Sequence, residues 1–347
     1  MKEIIDKLNY YLNEICNYLE KGNGFLLKNI LFISGLNDAF LEHIQCYNLD
    51  NETKQNKLTF EDVFLLAREI VESIDKSYLE HFDNLIQSGE LDFSFENAYE
   101  DSQCISMYRK NQVKQIININ REFNYNDVIL LMHEFIHYTN GKQNSINRYY
   151  FAEFLSIYFE FYAIDYLLKK GINKDEIDYF RRFKNVERHS TALFQYEIVL
   201  LSFIKFGNLD DNTVSLLQQY LLNIKKEEFE KECSVLYKNL CLIEEKYKEK
   251  INGNSKMLGR VLSEEFITQN YRYILGTILA IYAYKYVDFK DIIYLNNHIN
   301  EYDDKSVYEI CLSIGIDVND ENFQQKLFTA MDEYIDNKKN YEKNIQI

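Results

Sequence analysis

The stretch VILLMHEFIHYTNG, residues 128–141, carries the side chains of this sequence that are best placed for chemistry. His133 and His137 are four positions apart, so on an α-helix both rings lie on one face and can reach one metal ion. Glu134 lies about 100° around that helix from His133, where its carboxylate can hold a water molecule. This HExxH pattern predicts a Zn²⁺ site with Glu134 as general base. The alternative is a buried helix that carries two imidazoles by chance.

A third protein ligand would complete a catalytic zinc site, and a carboxylate on a following helix is one common solution. The segment RYYFAEFLSIYFEFYAIDYLL places Glu153 and Glu160 among aromatic and aliphatic residues. The two glutamates are seven positions apart, so they share a helix face. Because burying an unpaired carboxylate is costly, this pattern favours a role at a metal site over an exposed polar stripe.

Four sequence blocks, in this order, resemble the thimet oligopeptidase/oligoendopeptidase F family of zinc peptidases. The oligoendopeptidase F branch is the most similar, and the resemblance covers roughly residues 58–290. The blocks are NREFNYNDVILLMHEFIH, FAEFLSIYFE, TALFQYE (191–197) and YRYILGTILA (271–280). Each of the last three is weak alone, whereas the four in order are specific. The resemblance implies a zincin-like, gluzincin-type metallopeptidase.

The resemblance also implies roles for particular residues. It assigns Glu153 the role of third zinc ligand beside the two histidines. It assigns Glu160 a place next to the ligands, where its carboxylate can orient one of the histidine rings. Tyr273, or Tyr271 two residues earlier, would donate a hydrogen bond to the substrate carbonyl as it becomes an oxyanion. For both tyrosines, packing in the core is the alternative.

The chain departs from the family pattern at several positions. Ile136 stands where the family usually has Gly, and Ser263 stands where it has a histidine. His189 and His298 are predicted to be surface or packing residues. The chain is also much shorter than full-length members of the family.

The predicted activity is hydrolysis of short, extended peptides by a zinc-bound water that Glu134 activates. The substrate is expected to lie along the strand KQIININ (114–120), held by backbone hydrogen bonds. The alternative is a catalytically silent zinc- or peptide-binding protein on the same scaffold. A weaker third interpretation is a helical interaction protein with a chance motif.

Helical periodicity dominates the elements that would position these residues. Period-two alternation over 91–120 predicts a small antiparallel β-sheet beside the active-site helix, within a mainly α fold. We expect an N-terminal helical lobe over 1–90, with a soft border, and a catalytic lobe over 91–347. Thr59 and Asp62 have capping-box spacing, and Asn126 or Asp127 is expected to cap the HExxH helix. Helices are predicted over 1–20, 58–74, 147–169, 190–206, 212–250 and 257–287.

The composition narrows the possible partners and the compartment. The net charge of −16 over 347 residues argues against nucleic acid and anionic membranes. The apolar run 271–287 is short and contains charges, so a buried helix is expected rather than a membrane span. The six scattered cysteines form no CxxC pair and, with no signal-peptide core, favour a cytoplasmic protein.

Overall fold

A computed structural model of the chain describes residues 1–21, 39–47, 57–92, 103–109, 112–119, 122–140, 146–210, 212–220, 225–302 and 305–339. The chain forms two compact units, each made of two segments. Unit 1 comprises Met1–Gln45 and Asn185–Ile274, and unit 2 comprises Cys46–Lys184 and Leu275–Ile347. The lobes predicted with a border near residue 90 are a different division, and that division stays a prediction.

The helices and strands follow one another along the chain, with a further helical segment over residues 39–45. They are α1 (Lys2–Lys21), α2 (Phe60–Ile74), α3 (Tyr78–Gln87), β1 (Leu91–Asp92), β2 (Gln103–Arg109), β3 (Gln112–Asn118), α4 (Tyr125–Asn140), α5 (Ile146–Lys169), α6 (Arg181–Phe206), α7 (Thr213–Tyr220), α8 (Lys226–Lys246), α9 (Lys248–Ile251), α10 (Ser255–Leu262), α11 (Gln269–Tyr286), α12 (Phe289–His298), α13 (Val307–Ser313) and α14 (Phe323–Lys339). A π-helical turn, Ser263–Thr268, joins α10 to α11. The predicted mainly α class is confirmed.

In unit 1, α1 packs against α8 and α10 through the apolar stripe that its periodicity predicts. Leu8, Leu12 and Ile15 on this stripe are buried. Gly259 of α10 lies so close to α1 that a Cβ there would be 2.3 Å from the carbonyl oxygen of Glu14. The absence of a side chain at this glycine therefore sets how closely the two helices approach.

In unit 2, the start of α2 has the predicted capping box. The Thr59 hydroxyl accepts a hydrogen bond from the backbone N–H of Asp62, and the Asp62 carboxylate accepts one from the backbone N–H of Thr59. Two donors at the helix N-terminus are thereby satisfied by residues three positions apart. The capping prediction from spacing is confirmed.

The sheet lies in unit 2, and its strand order is β1-β3-β2. β2 and β3 form an antiparallel hairpin, but Leu91 and Asp92 of β1 pair with Ile117 and Asn118 of β3 in the parallel sense. The prediction of an antiparallel sheet is therefore wrong. Strand β1 runs opposite to β2, as an antiparallel sheet would require. It joins the hairpin on the β3 side, however, and is therefore parallel to its neighbour. The alternation lies in LDFSFENAY (91–99) and QVKQIININ (112–120), so strand β2 between them was not predicted, and residues 93–99 of the first run lie outside the described residues.

Helix α4 is surrounded by other elements of unit 2. It contacts α2, α5, α12 and both hairpin strands, and from Tyr125 to Ile136 nearly all of its side chains are buried. Its cap differs from the predicted Asn126 or Asp127, because the helix begins earlier and Asn124 Oδ1 accepts from the Asn126 N–H at 2.8 Å. Helix α4 is thus packed against other elements on several sides.

The Asp127 carboxylate stabilises the loop before α4 instead of capping the helix. It accepts hydrogen bonds from the backbone N–H groups of Glu122 at 2.8 Å and Phe123 at 3.0 Å. Phe123 has a φ of 58°, a left-handed conformation that is unfavourable for a phenylalanine. The two hydrogen bonds help to hold this strained residue in place.

The apolar run that begins at residue 271 forms most of α11. Ile274, Ile278 and Leu279 are fully or almost fully buried, as expected for a core helix. In the part of the chain that the structure describes, none of the helices has the length and apolar character that crossing a bilayer requires. The prediction that this run does not span a membrane is in keeping with that finding.

Candidate metal centre

Helices α4 and α5 bring three potential metal ligands together inside unit 2. The Nε2 atoms of His133 and His137 are 3.1 Å apart. The Glu153 carboxylate completes the cluster, with one oxygen 3.4 Å from His133 Nε2 and the other 3.6 Å from His137 Nε2. His133 and Glu153 are buried, and His137 is only 14% exposed at its side chain. The one-turn spacing on α4 and the packing of α5 against α4 therefore produce a compact donor set.

These distances fit a tetrahedral metal ion. Zinc bonds to histidine nitrogen and carboxylate oxygen are about 2.0–2.2 Å long, so adjacent ligand atoms of a tetrahedron lie about 3.4 Å apart. The separations of 3.1, 3.4 and 3.6 Å in this cluster bracket that value. Two imidazoles with one carboxylate are also a donor set that zinc enzymes use, with one position left for water or substrate. The residues present therefore fit a catalytic zinc ion.

Glu160 and Arg182 form a second layer behind His133. Glu160 Oε1 lies 2.5 Å from His133 Nδ1, and both carboxylate oxygens of Glu160 contact Arg182, with Oε2 at 3.0 Å from Nε. All three side chains are buried. A carboxylate on the far nitrogen of a ligating histidine fixes the orientation of its ring.

The local charges favour binding of a cation. The buried group contains three carboxylates, those of Glu134, Glu153 and Glu160, and one guanidinium, that of Arg182, which pairs with Glu160. With neutral histidines this group carries a formal charge of about −2, which one divalent cation would balance. The excess of negative charge also affects the pKa of His133. Burial acts to lower the pKa of His133, but Glu160 and the other carboxylates outweigh it and raise the pKa to about 10.

The pKa of Glu160 moves in the opposite direction. Burial alone would raise the pKa of this carboxyl group. The charges and hydrogen bonds of Arg182 and His133 outweigh burial and lower the pKa to about 2. Glu160 is therefore an anion that can accept a hydrogen bond from His133 Nδ1–H but cannot donate one.

Glu134 is the predicted general base, and it lies in the same buried group. Burial raises the pKa of its carboxyl group, and the neighbouring charge of Glu153 raises it further. The nearby histidines and a hydrogen bond from the backbone N–H of Cys104 oppose that rise. A carboxylate with a raised pKa is suited to accepting a proton near neutral pH. The contact with Cys104 also ties Glu134 to strand β2.

Next to Glu134, the backbone N–H and C=O groups of alternate β2 residues point away from β3. In the hairpin Cys104 is opposite Ile117, whose N–H donates to the Glu90 carbonyl at 2.8 Å on the β1 side of β3. Cys104 and Ile117 are therefore a non-hydrogen-bonded pair, and the Cys104 N–H points away from β3, towards Glu134. By alternation, the N–H and C=O groups of Ser106 and Tyr108 point to the same outer edge. Within the described residues, no strand pairs with that edge.

Gly276 of α11 lies directly against Glu153 of α5. A Cβ at Gly276 would be 2.9 Å from Glu153 Cβ and 3.0 Å from both the Glu153 carbonyl carbon and the Phe154 nitrogen. Any side chain would push against the backbone that carries Glu153, the third side chain of the cluster. The glycine of the block YRYILGTILA (271–280) therefore has a packing role at the cluster.

Four of the other predicted residues belong to unit 1, namely Tyr271, Tyr273, His189 and Ser263, and His298 belongs to unit 2. Tyr271 is buried in unit 1, and Tyr273 stacks on His189 there with ring centroids 4.5 Å apart. Their role as oxyanion donors stays a prediction. Ser263 is buried and its hydroxyl donates to the Gly259 carbonyl at 2.7 Å, while His298 stacks on the exposed Tyr294.

Sequence reasoning missed two partners of the cluster. Arg182 is far from the motif in sequence, although the apolar surroundings of Glu160 signalled that this carboxylate needed a partner. The Cys104 N–H gave no sequence signal, because every residue except proline has one.

No protein-family profile matches the chain, and no curated protein matches it. Two crystal structures are similar in fold. One, a protein assigned as an oligoendopeptidase F from Bacillus anthracis strain Ames, has 14% identity and a TM-score of 0.47 over 94% of this chain and 57% of its own. The other, assigned as a peptidase from Chlamydophila abortus, has 16% identity and a TM-score of 0.44 over 94% of this chain and 54% of its own. The chain thus spans little more than half the length of either, and the likeness is distant.

Proposed function

We propose that this chain is a zinc-dependent metalloendopeptidase that hydrolyses short, extended peptides. The observation that carries the proposal is the convergence of His133, His137 and Glu153 at tetrahedral ligand spacing, with Glu134 on the same helix as both histidines. This set combines three ligands, a carboxylate for proton transfer and an open fourth position, as peptide hydrolysis by a metal-activated water requires.

A zinc ion held by the three ligands would polarise the scissile carbonyl and lower the pKa of a water molecule to about 7. Glu134 would take the proton of the attacking water and pass it to the leaving amine. Its buried position and its tie to Cys104 keep the carboxylate in a fixed place for both transfers. Tyr273 or Tyr271 stays the predicted donor to the oxyanion.

We propose the outer edge of β2 as the surface along which the peptide lies. The predicted strand, KQIININ, corresponds largely to β3, which is the central strand and pairs with β2 along its length. The outer edge of β2 instead presents the N–H and C=O groups of Ser106 and Tyr108, on the same side of the strand as the Cys104 N–H that contacts Glu134. Pairing with backbone groups binds an extended peptide without reading its side chains.

The second candidate is a catalytically silent protein that binds zinc or peptide. One observation favours it: Ser263, at the place of the family's histidine, is buried and its hydroxyl donates to Gly259. It cannot supply the imidazole that the family pattern has near the oxyanion. The two candidates differ in turnover but not in metal content.

The test is the metal content of the purified protein, together with cleavage of a mixed library of short quenched peptides. We expect about one zinc per chain in the wild type and in Glu134→Gln, with cleavage reduced about 10²–10⁴-fold in the variant. Glu69→Gln is the matched control, because this exposed glutamate pairs with Lys170 on the surface, and it should cleave like the wild type. Zinc without cleavage in all three proteins would support the silent protein. No zinc in the wild type would reject the metal centre itself.

A further inference from the structure

Two adjacent arginines at the start of α6 have different surroundings. Arg181 is partly exposed, with 35% of its side chain accessible, and its Nη1 pairs with Glu122 at 2.5 Å. Arg182 is only 9% exposed at its side chain and pairs with Glu160, which is itself buried. Burying an arginine is costly unless it is fully paired, so the position of Arg182 calls for a specific reason.

The pair between Arg182 and Glu160 is bidentate. Nε of Arg182 donates to Glu160 Oε2 at 3.0 Å, and Nη2 donates to Oε1. Two parallel bonds from a planar guanidinium fix the plane of the carboxylate as well as its position, which a lysine cannot do. Glu160 Oε1, which accepts the hydrogen bond from Nη2, also lies 2.5 Å from His133 Nδ1. The order of contacts is therefore arginine, carboxylate, metal-ligating imidazole.

This order of contacts determines the tautomer of His133. A carboxylate held by a guanidinium only accepts hydrogen bonds, so His133 Nδ1 must carry the proton that points at Glu160. Arg182 Nη2 lies 3.5 Å from His133 Nδ1, but both atoms are then donors, so this contact is not a hydrogen bond. Because Nδ1 keeps its proton for Glu160, Nε2 is the nitrogen that can bind a metal, and it faces Glu153 and His137, where the metal would lie.

We propose that Arg182 is a positioning residue for the metal centre, which clamps Glu160 so that His133 presents Nε2 to the metal. The inference rests on the proposed zinc centre and not on peptide cleavage. In the alternative, the arginine is an ordinary buried ion pair whose loss would affect folding and leave metal affinity alone. The two differ in whether the effect of Arg182 on metal binding passes through Glu160.

The experiment measures the affinity of purified, metal-stripped protein for Zn²⁺ and Co²⁺ by competition with a chromophoric chelator. The variants are Arg182→Met, Arg182→Lys, Glu160→Gln and the double variant Arg182→Met/Glu160→Gln, and Arg181→Met is the control. We expect Arg182→Met to raise the Kd about 10–100-fold, the usual effect of losing a group that orients a ligand. Arg181→Met should match the wild type, and Arg182→Lys should fall between.

The double variant is the decisive one. If Arg182 acts through Glu160, adding Arg182→Met to Glu160→Gln should weaken metal binding no further, whereas independent effects would multiply. The Co²⁺ absorption bands should shift in Arg182→Met and stay unchanged in Arg181→Met. Independent effects, or an Arg182→Met affinity equal to that of Arg181→Met, would overturn the proposal.

Folding is monitored by circular dichroism of each metal-free variant. If Arg182→Met does not fold, Arg182→Lys decides: a weakened Kd supports the clamp, and wild-type affinity overturns it. Failure of both variants to fold with saturating zinc would assign Arg182 to the fold alone and also overturn the proposal. A wild type that binds zinc but cleaves no peptide would reject the proposed peptidase and leave this inference to be judged by the affinities.

Discussion

The contact between Gly276 and Glu153 predicts the effect of adding a single methyl group. In Gly276→Ala the new Cβ would lie 2.9 Å from Glu153 Cβ and 3.0 Å from two backbone atoms of α5. Carbon atoms in ordinary contact are about 3.5–4.0 Å apart, so α5 and α11 must separate by about 0.5–1 Å. Because two of the three contacts are with backbone, rotation of a side chain cannot relieve them.

That displacement is larger than a metal site tolerates. Ligand distances in a competent site are defined to about 0.2 Å, so a shift of this size moves the Glu153 carboxylate out of register with the two histidines. We expect the Kd for zinc to rise by about tenfold or more. Overpacking costs about 1–3 kcal/mol and replacing glycine within a helix returns about 0.5–1, so the metal-free protein should lose about 1 kcal/mol.

The assay pairs chelator competition for zinc with urea unfolding of the metal-free protein. Gly259→Ala is the matched control, because its Cβ would meet the backbone of Glu14 in unit 1, whereas the three candidate ligands belong to unit 2. It should be destabilised to a similar or larger extent and keep wild-type zinc affinity. Wild-type zinc affinity in Gly276→Ala, or an equally weakened zinc affinity in Gly259→Ala, would contradict this prediction.

Two further predictions concern stability. Free zinc at 1,000 times its Kd should stabilise the protein by about 4 kcal/mol, so a chelator should lower the melting temperature of the wild type but not that of His137→Ala; equal responses would argue against the site. Asp127→Ala should cost about 1–2 kcal/mol in urea unfolding, because two backbone N–H groups lose their acceptor. Adding Phe123→Gly should recover part of that loss, since glycine adopts a φ of 58° without strain; no recovery would mean that the strain is unimportant.

The features that sequence predicted well depend on neighbours in the chain. The one-turn spacing of His133 and His137 is set by helix geometry alone, and so is the capping box of Thr59 and Asp62. Glu153 required more, because its position opposite the histidines depends on how α5 packs on α4. The family resemblance supplied that pairing, and the structure brings the three side chains together.

The features that sequence missed depend on contacts between distant segments. Strand β1 is only two residues long, and its parallel pairing with β3 depends on which side of the hairpin it joins. Arg182 neutralises the buried charge of Glu160. From the sequence alone, either of the adjacent residues Arg181 and Arg182 could pair with this carboxylate. Which of them turns inward is decided by the packing of α6, which periodicity does not encode.

The outer edge of β2 also affects whether the protein self-associates in concentrated solution. Backbone pairing does not distinguish a peptide from a strand of another molecule, so among the described elements this edge is a natural site for self-association. Two copies joined there would cover the surface on which we propose that substrate lies. Turnover per molecule should then fall as protein concentration rises, and added peptide should keep the copies apart.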